Sequence, residues 1–224
     1  MHIIKLFYIN SMEALENLWK ETDSCKTCSS NLQHVLGAGA RKGLMIVFIN
    51  PTARNMSSNP SWRGPRFPFI GRKRPWDIFE KIGWIDKSLL EEINKKENKW
   101  TYQFAEKVES YLKKRELYLT NIIKCTGKDA TLPKISEIKS QLHIFEKEVE
   151  LVDPKIIVSF GSLTTKAILK RDIKMSDLYK KPEFFDVEIK KKKYKVFPCL
   201  YPIGRGNPKQ AIEMLAYLNS SFKI

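Results

Sequence analysis

Short apolar runs and helical patterns alternate along the chain. Residues 43–49 form a run without charge, which is typical of a strand buried on both faces of a parallel sheet. Three further runs predict strands at 117–123, 156–160 and 196–200. Apolar positions at helical spacing predict helices at 76–82, 102–114, 136–152, 162–170 and 209–219. Helices between strands imply right-handed crossovers, so we predict an α/β fold: a three-layer α/β/α sandwich around a central four-stranded parallel sheet.

The pattern outside this core is weaker. Residues 11–21 predict a short helix with Ser11 as its N-cap, and Ser136 is the predicted N-cap of the 136–152 helix. Residues 86–100 are charged and predict a surface helix with a turn. We treat residues 1–224 as one domain, on which the first helix and a Cys-x-x-Cys segment, residues 1–42, are packed.

A long loop, residues 50–75, follows the first strand, and loops of this length are usually functional. It opens with Asn50-Pro51. Ligands of open α/β sheets bind at the carboxyl ends of the strands, where an Asn can orient a water molecule or read a polar ligand. The same dipeptide is also a common turn that ends a strand, and the motif alone does not decide between the two interpretations.

Charge narrows the class of ligand. The chain carries a net charge of +15, and residues 54–74 and 187–209 hold twelve of these charges. Basic residues concentrated in loops that flank strand ends are typical of a polyanion binder, so we expect DNA as the partner. A small ligand would not explain this charge, and the chain has neither a Gly-x-Gly-x-x-Gly nor a Walker motif.

The sequence lacks the marks of membrane insertion or export. No run reaches 18 apolar residues, and residues 1–5 lack the features of a signal peptide. We therefore expect an intracellular protein, cytoplasmic and associated with the nucleoid, with no membrane partner. In that compartment its four cysteines are not expected to form structural disulfides.

Several motifs, each beside a predicted strand, resemble those of the uracil-DNA glycosylase superfamily. Asn50-Pro51 is similar to the Ile-Asn-Pro motif of its mismatch-specific, thymine-DNA and single-strand-selective branches. The resemblance to the iron–sulfur, family 4-like branch lies in the Cys-x-x-Cys layout and in residues 66–72, 119–125 and 154–161. Together the motifs cover about residues 25–215. The resemblance implies a uracil-DNA glycosylase-like fold, and we expect a monomer.

The resemblance also implies roles for the residues of the motifs. A glycosylase takes its target base out of the stack and into a pocket. Phe69 would stack on that base, and Asn121 would read its edge, because a carboxamide offers both a donor and an acceptor. Asn50 would position the water that attacks the sugar C1′, with Pro51 and Thr52 contacting the substrate beside it.

The last loop departs from the family. Most branches carry a His that stabilises the leaving base where this chain has Tyr201, whose hydroxyl would be the catalytic donor instead. Arg205 would be the wedge that fills the gap left by the flipped base, and the glycines beside it would let the backbone approach the phosphates. The predicted DNA contacts are Arg54, Arg63, Arg66, Arg72, Gly204, Arg205, Gly206 and Asn207.

The cysteines depart as well. The iron–sulfur branch holds a 4Fe-4S cluster with four Cys, and Cys25, Cys28 and Cys125 match three of these positions. The fourth position is Gln141. The alternatives are a cluster with another fourth ligand, zinc, or a site without metal.

We therefore predict a monofunctional DNA glycosylase that hydrolyses the N-glycosidic bond of a flipped-out base, most simply uracil, and leaves an abasic site. One alternative is a glycosylase for a modified or mismatched base, such as modified cytosine, thymine or hypoxanthine. Another is a non-catalytic nucleic-acid binder on the same fold.

Overall fold

The structure is a computed structural model of the chain. It describes residues 2–23, 31–128, 131–203 and 206–222. None of the helices in these ranges is long and apolar enough to cross a membrane.

Eight α-helices and six strands lie in the described part of the chain. The helices are α1 (His2–Asp23), α2 (Arg74–Lys81), α3 (Lys87–Lys95), α4 (Tyr102–Lys114), α5 (Ile135–Val152), α6 (Ser162–Leu169), α7 (Met175–Lys180) and α8 (Pro208–Phe222). The strands are β1 (Ala38–Gly39), β2 (Leu44–Phe48), β3 (Leu117–Asn121), β4 (Ile156–Phe160), β5 (Phe185–Ile189) and β6 (Lys192–Cys199). A short 3₁₀ turn, Met56–Ser58, lies in the loop after β2.

The strands form one sheet in the order β1-β3-β2-β4-β6-β5. The four central strands are parallel, as the apolar runs predict. The predicted elements did not include the two edge strands, β1 and β5, which pair antiparallel to β3 and β6. The predicted central four-stranded parallel sheet is therefore confirmed, and the complete sheet has one more strand at each edge.

Helices cover both faces of the sheet, because alternate residues of each buried strand point to opposite sides. On one face, Ile46 and Phe48 pack in one apolar cluster with residues of α2, α4 and α8. On the other face, Met45 and Val47 pack in a second cluster with residues of α5 and α6. This arrangement is the predicted three-layer sandwich.

Two helices begin earlier than the sequence pattern predicts. Helix α1 begins at His2 rather than near Ser11, since neither Gly nor Pro interrupts residues 2–23. Helix α5 begins at Ile135, so Ser136 is not its N-cap. Instead, the Glu137 carboxylate accepts a hydrogen bond from the backbone N–H of Lys134 at 2.6 Å.

The lysine run lies away from the carboxyl ends of the parallel strands. Lys190 and Lys191 form the two-residue turn between β5 and β6, with φ values of 50° and 67°. Because β6 runs parallel to β2 and β4, this turn lies at the end of the sheet where the parallel strands begin. The strands β2 and β3 finish at the opposite end. These lysines therefore add little to the local charge around the predicted site.

Candidate active site

The predicted site residues follow the carboxyl ends of adjacent strands. Phe48 ends β2 and is the register partner of Asn121, which ends β3. The loops beyond them stay paired: Ile122 N–H donates to Phe48 O at 2.9 Å, and Thr52 forms an isolated parallel bridge with Gly127. The segments that carry Asn50 and Asn121 therefore run side by side.

The ring of Phe48 gathers the aromatic residues of the site. It stacks on Phe160 from the end of β4, with ring centroids 4.9 Å apart. Phe69 meets it edge to face at 4.6 Å, and Tyr201 does so at 6.2 Å. Two residues predicted from distant parts of the sequence, Phe69 and Tyr201, are thus brought around one ring.

Phe69 has an unusual backbone conformation. Its φ is 71°, in the left-handed region that bulky residues rarely adopt. Its carbonyl accepts hydrogen bonds from Arg72 N–H at 3.1 Å and from Trp76 Nε1 at 3.2 Å. Gly71 has φ 79°, a conformation that L side chains rarely adopt, so the turn after Phe69 favours a glycine there. Strain of this kind, held by surrounding contacts, is concentrated in functional sites.

Asn121 is buried, with only 2% of its surface exposed, and its side-chain amide is unsatisfied. Its Nδ2 has no hydrogen-bond partner within the described ranges. The amide lies on the same face of the sheet as Phe48, because Asn121 continues the alternation of Leu117 and Leu119 in β3. Leaving a buried donor unpaired costs about 1–3 kcal/mol, which a ligand with an acceptor would recover.

The Asn50 motif is held by backbone contacts. Asn50 is half-buried, and its Nδ2 donates to Pro51 O at 3.2 Å. Pro51 O also accepts from Gly127 N–H at 3.2 Å, while Ala53 N–H donates to Gly127 O at 2.9 Å. These bonds tie the Asn50–Thr52 segment to the loop that follows β3. Asn50 Oδ1 is an acceptor of the kind that holds a water molecule.

Tyr201 is 38% exposed at the rim of this group. Burial of its ring raises the pKa of its hydroxyl, so the hydroxyl is protonated and a donor at neutral pH. Gly161 lies beside it with φ 85°, where an added Cβ would be 3.6 Å from Tyr201 Cβ. Gly206 lies against the Tyr201 carbonyl, and an added Cβ there would be 1.8 Å from that oxygen. The glycine at 206 therefore has a packing reason within the protein as well as its predicted role toward phosphate.

The other residues predicted in this loop divide into two groups. Gly204 and Arg205 lie outside the described residues. Asn207 precedes α8, and its Oδ1 accepts from Gln210 N–H at 3.1 Å, which is a helix cap. Its predicted DNA contact stays a prediction.

The four predicted DNA-binding arginines in the loop after β2 have different surroundings. Arg54 is exposed, and Arg63 is exposed with its guanidinium on the carbonyls of the Pro60–Trp62 turn. Arg72 donates to Asn98 Oδ1 at 3.0 Å. Arg66 forms a two-bond ion pair with Asp23 of α1, at 2.9 and 2.5 Å. Arg54 is therefore the most available of the four to a phosphate, and Arg66 the least.

Asp23 connects α1 to the site loop. Besides Arg66, it pairs with Nδ1 of His34 at 3.1 Å. Partial burial of Asp23 would raise its pKa, but the hydrogen bonds from His34 and Arg66 outweigh burial and hold that pKa at about 2. The ion pair thus joins the end of α1 to the segment that leads into Phe69.

The cysteine positions test the cluster that the resemblance implies. Cys25 and Cys28 lie outside the described residues. Cys125 is disulfide-bonded, so the expectation of no disulfide does not hold for it. Gln141 is buried beside it, and its Nε2 donates to Cys125 Sγ at 3.2 Å. Cys199 is a buried free thiol near Ala211 of α8, away from this group.

These residues do not complete a four-thiolate site. A 4Fe-4S cluster is held by cysteine thiolates, and a carboxamide stands where the fourth would be. No group of three potential metal ligands occurs among the residues that the structure describes. We therefore assign no catalytic step to a cluster.

Sequence reasoning missed one buried group at the end of β3. Lys124 and Glu148 form an ion pair with both side chains fully buried. A signal was present, since Lys124 interrupts an apolar segment after Ile122 and Ile123. A second signal was the spacing of Gln141 and Glu148, which places both on the inward face of α5.

Comparison with known proteins agrees with this arrangement. The model of the uracil DNA glycosylase superfamily matches residues 34–220. A type-4 uracil-DNA glycosylase of Sulfurisphaera tokodaii is 28% identical over 196 residues, which cover 85% of this chain and 75% of that protein. The family match spans most of the chain and includes all the strands and the residues gathered around Phe48. The chain therefore belongs to the uracil DNA glycosylase superfamily and is a DNA glycosylase.

Proposed function

We propose that this chain is a monofunctional uracil-DNA glycosylase. It hydrolyses the bond between uracil and deoxyribose and leaves an abasic site. The observation that carries this proposal is the buried Asn121 amide with an unpaired donor, next to aromatic residues gathered around Phe48. A flat base with hydrogen-bonding groups on its edge matches both features.

Recognition of the base combines stacking on an aromatic ring with hydrogen bonds to the edge of the base. Phe69 stacks on the flipped base, because its strained backbone holds its ring edge to face against the ring of Phe48. Asn121 donates to the O4 of uracil and accepts from its N3–H, since a carboxamide carries both groups. The desolvated amide would reject bases whose edge leaves it unpaired.

Catalysis relies on stabilisation of the charges that form as the glycosidic bond breaks. Breaking the bond leaves an oxocarbenium-like sugar and an anionic base, so a strong base is not needed. Asn50 positions the water that attacks C1′, and the protonated Tyr201 hydroxyl donates to the departing base. Pro51 and Thr52 hold the Asn50 segment in place through their pairing with Gly127.

DNA binding follows the charge around the site. Arg54, Arg63 and Arg72 contact phosphates, and Arg205 fills the space left by the flipped base. Affinity should fall steeply with salt, because several phosphates lose their counterions on binding. We further propose that the enzyme acts as a monomer, with one domain over residues 1–224, on intracellular nucleoid DNA.

A strand-cleavage assay tests the proposed function. Labelled oligonucleotides each carry one uracil, hypoxanthine, mismatched thymine or modified cytosine, and hot alkali cuts wherever an abasic site has formed. We expect cutting at uracil. Cutting only at another base would replace uracil with that base, an outcome that the Tyr201 substitution and the Asn50-Pro51 motif make worth testing. No cutting at any base would refute the proposal.

Asn50→Ala sharpens the test. It should retain DNA binding and lose about a hundredfold in excision rate, because Asn50 positions the water. Asn17→Ala, on the exposed face of α1, is the matched control and should be unchanged. Equal losses in DNA binding and in rate would remove the assigned role from Asn50.

A further inference from the structure

A buried ion pair lies behind the residue proposed to read the base. Lys124 Nζ and Glu148 Oε2 are 2.5 Å apart, and both side chains have no exposed surface. The other carboxylate oxygen of Glu148 accepts from the Tyr118 hydroxyl at 2.9 Å and from Thr120 Oγ1 at 2.8 Å. The carboxylate of α5 is thus bonded to the inner face of β3 at several points.

The lysine reaches Asn121 directly. Besides Glu148, its ammonium donates to Asn121 O and to Thr120 Oγ1, each at 2.5 Å. These three bonds use all three donors of the ammonium. Backbone bonds hold Lys124 itself, with Gln141 Oε1 accepting from its N–H at 3.3 Å and Val35 N–H donating to its carbonyl at 3.0 Å.

The pair and the Asn121 amide lie on opposite faces of the sheet. Tyr118 packs in the cluster under α5, whereas Leu117 and Leu119 pack in the cluster of Phe48. Asn121 follows the second set, so Lys124 bonds its carbonyl from one side while its carboxamide projects to the other. A charge-assisted bond to the backbone carbonyl fixes the direction in which the residue presents its side chain.

Stability alone gives little reason for this arrangement. Burying two charges costs free energy that their attraction only partly recovers, and neutral replacements of similar size are often as stable. Apolar side chains would fill the space between α5 and β3 without this cost. They would not hold the Asn121 carbonyl.

We infer that Lys124 and Glu148 are positioning residues for base recognition. The pair holds the backbone of Asn121 so that its carboxamide meets the edge of the flipped base. The inference rests on the proposed function, because it takes Asn121 as the residue that reads the base.

A double-mutant cycle separates positioning from support of the fold. The variant Lys124→Met/Glu148→Gln removes both charges at similar volume and should fold, as a thermal melt would verify. It is compared with Asn121→Ala and with the triple variant. A positioning role acts only through the Asn121 amide, so removing the ion pair should lower kcat/KM only while that amide is present.

We expect kcat/KM for uracil excision to fall about tenfold to a hundredfold in the Lys124→Met/Glu148→Gln variant. The same two changes made in Asn121→Ala should cost less than about twofold. Lys147→Met is the matched control, since Lys147 also lies on α5 but pairs at the surface with Glu21 at 3.0 Å. It should behave as the unaltered enzyme.

Equal losses with and without the Asn121 amide would overturn the inference and leave a purely structural pair. Unchanged kinetics in a folded variant would overturn it too. If the charge-free variant does not fold, Thr120→Val takes its place, because it removes one of the three acceptors at Lys124 with little change in volume. It is then compared with Asn121→Ala and with the double variant in the same way. Inactivity of the unaltered enzyme on every base would instead refute the proposed function, and this inference with it.

Discussion

The Tyr201 hydroxyl provides the most direct test of the proposed chemistry. Tyr201→Phe removes one oxygen and keeps the ring that meets Phe48 edge to face at 6.2 Å. The backbone of the loop is unaffected, because the contacts of Gly206 are with the Tyr201 carbonyl. Any change in rate therefore reports on the hydroxyl.

The expected magnitude follows from the exposure of the residue. A hydrogen bond to a charged group contributes about 1.5–3 kcal/mol when it is well made. Tyr201 is 38% exposed, so water competes for the leaving base and the lower end of that range applies. Because about 1.4 kcal/mol corresponds to a tenfold change in rate, we expect Tyr201→Phe to excise uracil about tenfold more slowly.

The pH dependence gives an independent check. Burial raises the pKa of Tyr201 above its ordinary value of about 10. The donor is thus present from neutral pH to about pH 10, and its contribution should disappear only above that range. Tyr201→Phe should therefore show a constant rate deficit up to about pH 10.

The assay is single-turnover excision of uracil from a labelled duplex. Tyr217→Phe, in α8, is a matched control that removes the hydroxyl of another partly exposed tyrosine. Tyr201→His should equal or exceed the unaltered enzyme at a pH where the imidazole is protonated, since a charged donor forms the stronger hydrogen bond. A Tyr201→Phe variant with the unaltered rate would refute the assignment of Tyr201 as the donor.

Three further predictions concern the surroundings of the site. After reduction of the Cys125 disulfide and reconstitution, Gln141→Cys should increase bound iron and sulfide, measured by metal and sulfide analysis, because it places a second thiol beside that of Cys125; unchanged iron content would count against a cluster site. Asp23→Asn should lower Tm at pH 7 by about 2–4 °C, since a partly exposed ion pair contributes up to about 1 kcal/mol. The Asp23 pKa is lowered, so this difference should shrink as pH falls from about 4 to 2, and a constant difference would contradict the assigned pKa. Arg54→Ala should reduce the salt dependence of DNA binding by about one counterion, whereas Arg66→Ala, whose guanidinium is paired with Asp23, should reduce it less; equal reductions would contradict this difference in availability.

The parallel core could be predicted because its strands are short, apolar and buried on both faces. The edge strand β5 has no continuous apolar run, because Asp186 and Glu188 separate its apolar residues; its signal is the alternation of apolar and charged residues that is typical of a strand with one exposed face. Its turn also lacked the usual signal, since Lys190 and Lys191 occupy left-handed positions that normally take Asn or Gly. Only pairing with β6 makes that turn necessary.

The site residues could be predicted as motifs but not as an arrangement. The sequence shows that Asn50 and Asn121 end apolar strands, whereas the pairing of β2 with β3 places their loops side by side. Nothing in the residue pattern predicts that Phe69 adopts a positive φ. The sequence marks Lys124 as a lysine inside an apolar segment, but it does not show the pairing with Glu148, because a lysine after a strand is usually exposed.

The Phe69 ring and the Asn121 amide, which we propose meet the base, are already held in place in the folded protein. Holding Phe69 at a positive φ costs about 1–3 kcal/mol, and hydrogen bonds to its carbonyl from Arg72 and Trp76 offset that cost within the folded protein. The unpaired Asn121 amide is a second cost already present in the free enzyme. Both costs are met during folding, so in the proposed mechanism the base would meet a ring and an amide that need little reorganisation. An enzyme built this way spends less of its binding energy on ordering the pocket and more on drawing the base out of the duplex.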